Sequence, residues 1–107
     1  MSCYTNVTDE VKIKKEIAAK LKKQEAAEDV LQLIQNLCWE TEITNDPISQ
    51  WLGILAQHVP KVQKWKTSAD LLEVYPSGTN GPGADDRLMF QVGKTQVAIV
   101  QAFKSAH

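Results

Sequence analysis

No glycine or proline interrupts residues 8–46; the five glycines and four prolines of the chain all come later. This asymmetry constrains the fold more than any other feature. A stretch without either residue can run as continuous helix, because glycine costs about 1 kcal/mol and proline about 3 in a helix interior. Thr8 can cap such a helix, and Asp9 and Glu10 fall in its first turn, where the helix dipole favours acids. Val11, Ile13, Ile17 and Leu21 form a thin apolar stripe, and Val30, Leu31, Ile34, Leu37 and Cys38 a denser one. Residues 9–39 therefore read as one long helix, or as two helices broken near Gln24. The first half is a Lys-rich arm expected to add little to the core. The second half is a core helix.

Beyond residue 46 the chain is punctuated. Asp46 caps and Pro47 takes the first helical position, where its missing N–H costs nothing. Ile48, Trp51, Leu52 and Leu55 recur at helical spacing, which places Trp51 in the core, and Val59-Pro60 closes the helix. Thr67 or Ser68, with Asp70 in the first turn, predicts a second short helix through Tyr75, ended by Pro76. Residues 76–84 hold three glycines and two prolines and read as a loop with a mobile tip.

The tail from Asp85 onward admits two readings. As a hairpin over 87–103, Gly93-Lys94 is its two-residue turn. As a helix, Asp85 caps it, and Arg87, Gln91, Lys94, Ala98, Gln101 and Ser105 share one stripe without a large apolar residue. Val97 to Val100 alternate poorly for a half-buried strand, which favours the helix. The expected fold is mainly α. It is one domain over residues 1–107, with a helical arm and core helix at 9–39 and a helix-turn-helix-like half at 45–107. The alternative is α+β with a C-terminal β-hairpin at 87–103.

Composition excludes little. Apolar residues make up 43% and charged residues 23%, as in ordinary globular domains, and the net charge of −1 steers the chain to no polyanion. Its distribution is uneven. Residues 1–23 hold six Lys against three acids, and residues 24–46 hold six acids and no base. Blocks of this kind favour self-association or an ion-pair face. Glu16 interrupts the Lys run, so a solvated helix face is expected there. Cys3 and Cys38 make no disulfide framework. The sequence shows neither a signal peptide nor an apolar run long enough to span a membrane, so a cytoplasmic location is expected.

Few residues suggest chemistry. Gly93-Lys94-Thr95 has the ending of a phosphate loop, but Leu88 stands where that loop needs its first glycine. His58 and His107 have no metal-ligand spacing around them, and no nucleophile motif is present. The chain reads as non-enzymatic, without cofactor or metal. Trp65, flanked by Lys64 and Lys66, is the tryptophan best placed to stack on bases or a partner. The stripe of Arg87, Gln91, Lys94 and Gln101, with Lys104 beyond it, carries groups that read bases and neutralise phosphates in a major groove.

"NDPISQWL", "KTSADLLEVY", a Gly/Pro loop and "FQVGKTQVAIVQAF" together resemble the winged-helix tail of phage and plasmid primase-helicases, over about residues 45–104. The resemblance implies a Gly-Lys-containing third helix and a binding module without the ATPase motor. These observations lead to the expectation of a non-catalytic, nucleic-acid-associated or regulatory small subunit contacting DNA or RNA. The rival is a helical adaptor that self-associates, or docks in a larger assembly, through the 9–39 arm.

Overall fold

The computed structural model describes residues 10–40, 45–66, 70–92 and 97–104. The glycine- and proline-free stretch forms two helices, α1 (Glu10–Lys20) and α2 (Gln24–Glu40). The break falls at Leu21–Lys23, beside the expected Gln24. Asp86 stabilises it from a distant part of the chain: its carboxylate accepts the backbone N–H of Lys22 at 3.0 Å and of Lys23 at 2.8 Å. These amides precede the first turn of α2 and have no carbonyl within the helix to bond. Asp86, next to the Asp85 expected to cap a tail helix, therefore serves the start of a different one.

The third helix, α3 (Pro47–Ala56), follows the sequence reading closely. Asp46 accepts from the Ser49 N–H at 3.2 Å, Pro47 opens the helix, and Trp51 and Leu55 are buried. The capping bonds with Ser49 hold the Asp46 carboxyl below its ordinary pKa, and the nearby charge of Lys64 adds to the effect.

The remainder of the chain corrects the mainly α expectation. The protein is α+β: four strands, β1 (Lys61–Lys64), β2 (Leu71–Tyr75), β3 (Asp86–Val92) and β4 (Val97–Lys104), form an antiparallel meander in that order. Among the described residues of 45–107 the only helix is α3, so the expected helix-turn-helix-like, winged-helix-like half gives way to the sheet. The predicted helix ending at Tyr75 is β2, and the hairpin alternative at 87–103 corresponds to β3 paired with β4. A turn of helix needs a stripe every three or four residues, whereas Leu72-Glu73-Val74-Tyr75 alternates. Thr67, Ser68 and the Gly93-Lys94 turn lie outside the described residues.

The polar stripe misled because Arg87 and Gln91 are four residues apart. That spacing puts two residues on one face of a helix, and equally on one face of a strand. The poor alternation of β4 also has a cause. The register shifts between Met89 and Phe90, whose partners are Gln101 and Ile99, so Val100 is the extra residue of a β-bulge.

The helices cover one face of this sheet. Leu72, Val74, Leu88, Phe90, Val92 and Ala102 pack there with Trp51 and Leu55 from α3 and with Ala27, Val30, Leu31 and Ile34 from α2. The rings of Trp51 and Phe90 meet edge-on, 5.6 Å between centroids. The arm is part of this core. Ile13 and Ile17 are fully buried and Leu21 is 4% exposed, which overturns the expectation that α1 adds little. α1 runs beside β4, and Glu16 accepts the Ala102 N–H at 3.3 Å. An edge strand otherwise presents such groups to solvent.

The 76–85 loop is tied into the fold. Gly83 has φ +83°, and a Cβ there would lie 2.6 Å from Lys23 Cγ and 3.0 Å from Ser77. Only glycine fits that conformation and that space.

Candidate functional site

Among the described residues, no helix lies on the second face of the sheet. By register it holds the row Lys61, Tyr75, Arg87 and Phe103, then Gln63 with Glu73, and Met89 with Gln101. Trp65 continues β1 past its end, its N–H donating to Leu71 O at 2.9 Å. Its ring meets that of Phe103 edge-on, 5.8 Å between centroids. These two residues come from opposite edges of the sheet. In a flat sheet β1 and β4 would stand three strand spacings apart, roughly 14 Å. The sheet is therefore coiled, with this face concave.

The middle of the face is buried. Arg87 is fully buried, Tyr75 is 5% exposed and Glu73 is 7% exposed. The Arg87 guanidinium lies over the Tyr75 ring, 3.6 Å from its centroid. Its Nη1 donates to the carbonyls of Ala84, at 2.6 Å, and Asp86, at 2.9 Å. Lys61 Nζ approaches the same ring at 5.0 Å. Tyr75 O–H donates to Glu73 Oε1 at 2.8 Å, and Gln63 Nε2 donates to both Glu73 Oε1, at 2.7 Å, and Tyr75 Oη, at 2.8 Å. Burial is the main cause that raises the Tyr75 pKa; the hydrogen bond to Glu73 and that carboxylate's charge add to it, while Arg87 opposes them. A buried charge needs such partners to be tolerated.

Around this polar floor the wall is half-exposed: Trp65, Leu71, Met89 and Phe103. Gln91 is exposed, on the same side, and donates to Asp70 at 3.0 Å. The arrangement is a shallow trough with an aromatic rim and a rigid polar base.

The structure separates the residues grouped by the sequence. Arg87 does not lie on a solvent stripe; it is the floor of the trough. Trp65 and Gln91 belong to this face, and Gln101 shares its register. Lys64 pairs with Leu72, so it is on the other side of β1 from Trp65. Lys66 is exposed just beyond Trp65. Lys104 is exposed at the end of β4, opposite Asp86. Lys94 lies outside the described residues.

Glu73, Tyr75, Gln63, Lys61 and Phe103 were missed. Their signal was the alternation of Leu72 and Val74 with Glu73 and Tyr75, which predicts a strand with one apolar and one polar face. Among the described residues no group of three or more His, Cys, Asp or Glu could hold a metal ion, and no helix is long and apolar enough to cross a membrane. No protein family, curated protein or solved structure matches the chain.

Proposed function

We propose that the protein is a non-catalytic, nucleic-acid-associated module that takes an unpaired strand on its concave sheet face. The observation that carries this reading is the half-exposed Trp65–Phe103 pair on a sheet face that no described helix covers. Unpaired bases offer a flat π-face to aromatic side chains, and sheet-borne aromatics are a common platform for them. Gln91 and Gln63 add donors and acceptors suited to base edges. The major-groove mode expected from the sequence loses its helix, and duplex bases are stacked on each other and closed to Trp65.

Fluorescence anisotropy with a labelled single-stranded RNA, the matching DNA and their duplexes tests the proposal. Single strands should bind more tightly than duplexes, and all binding should weaken with salt. Trp65→Ala should reduce single-strand affinity by about 5- to 100-fold, equivalent to roughly 1–3 kcal/mol per stacked base. No binding by any probe at low salt would sink the reading.

A second reading draws on the exposed charges of α1 and α2. Lys12, Lys14 and Lys15 are exposed on the first helix, and Glu25, Glu28 and Asp29 on the second. Such faces suit an adaptor that pairs with another copy, and sedimentation over a salt series tests that directly.

A further inference from the structure

The sequence places an acid, Glu16, in the middle of the Lys run of α1, and this argues for an ordinary solvated face. The structure changes that argument. Glu16 is half-buried: its Oε2 accepts the Ala102 N–H and lies 3.6 Å from Lys20 Nζ. Over residues 11–20 of α1, the exposed side chains are Lys12, Lys14, Lys15 and Lys20 with the uncharged Val11, Ala18 and Ala19. Lys22 and Lys23 follow in the break and are exposed too. Asp86 beneath them is fully buried, and its carboxylate bonds their backbone amides. Lys104 is the register partner of Asp86, so it stands at the same end.

The result is a ridge of lysines beside β4, the strand that carries Phe103 on the concave face. Glu16, the acid inside the run, accepts a backbone N–H of β4 and pairs with Lys20 alone among the ion pairs described. At its far end it meets Glu25 and Glu28 of α2, which repel a polyanion and give the ridge a direction.

We propose that the lysine ridge of α1, with Lys104, carries the phosphate backbone of the single strand whose bases stack on Trp65 and Phe103. This rests on the nucleic-acid reading above. Helix α1 spans roughly 16 Å at 1.5 Å per residue, room for a few phosphates. Lysines act there as point charges, so the ridge adds affinity without sequence preference.

The test uses the full chain and a single-stranded oligonucleotide over a salt series. Each neutralised phosphate contact contributes about 0.7 to the slope of log K against log salt for single strands. Lys15→Ala with Lys22→Ala should lower the slope by about 1.4 and leave the melting temperature unchanged, since both side chains are exposed. The corresponding Arg substitutions should restore the slope. Trp65→Ala should lower affinity at unchanged slope. If the Ala pair leaves the slope intact while Trp65→Ala weakens binding, the ridge is refuted and the concave-face reading stands. If the wild type binds no strand, both fall. Lysine-dependent binding to phosphatidylserine vesicles without nucleic-acid binding would overturn the proposal, as would a salt-sensitive dimer that the Ala pair dissolves.

Discussion

On the helix-covered side of the sheet, Leu72, Val74, Leu88 and Phe90 meet the helices. On the concave side, the adjoining residues Glu73, Tyr75 and Arg87 are also buried, on a face that no described helix covers. Identical backbone thus supports two interiors of different chemistry. The first is held by apolar area removed from water, worth about 25 cal/mol per Å² and indifferent to pH. The second needs every charge matched, so its stability depends on individual partners and on protonation. A side chain facing the helices can be swapped for another of similar volume. One in the trough cannot lose a hydrogen bond cheaply.

The largest effect should come from the helix side. Trp51→Ala removes a fully buried ring packed on Phe90 and should cost about 3–5 kcal/mol in urea unfolding. A loss below about 1 kcal/mol would mean that the trough, not this layer, holds the fold. Arg87→Ala comes next. It removes the stack on Tyr75 and the bonds to Ala84 and Asp86, and should cost about 2–4 kcal/mol. If the variant were as stable as wild type, the trough would owe nothing to its matched polar floor.

Tyr75→Phe should cost less, about 1–3 kcal/mol, by leaving Glu73 short of a donor. It also separates the faces by pH. The folded-state pKa of Tyr75 is raised, so the unfolded chain loses that proton first as pH climbs. The tyrosine's contribution is complete below about pH 10, the unfolded value, and is lost as pH rises toward the folded one. Wild type should therefore lose stability in alkaline denaturation scans over a range where the Phe variant loses less. Parallel curves would show that Tyr75 is not desolvated. The smallest effect is expected where the trough opens to solvent: Gln91→Ala, despite its bond to Asp70, should stay within about 0.5 kcal/mol by thermal melting.

Local signals accounted for the helices. The Asp46-Pro47 start and the burial of Trp51 and Leu55 depend on residues close along the chain, whereas the choice between one helix and two near Gln24 was left open. The same kind of signal left the last third undecided. A spacing of four between Arg87 and Gln91 fits both periods, and the bulge at Val100 hides the alternation of β4. Of the concave face, Trp65 and Gln91 were singled out in the sequence, but the trough that joins Trp65 to Phe103 was not.

What the sequence by itself determined is where chain segments start, stop and present apolar stripes, because those properties are set by neighbours along the chain. Tertiary structure alone decided what each charge does. Asp86 serves a helix more than sixty residues earlier in the chain, Glu16 serves the edge of β4, and Arg87 lies under a coiled sheet against Tyr75. The physical reason is that a charged side chain is silent about its partner until desolvation makes one obligatory, and desolvation belongs to the packed whole.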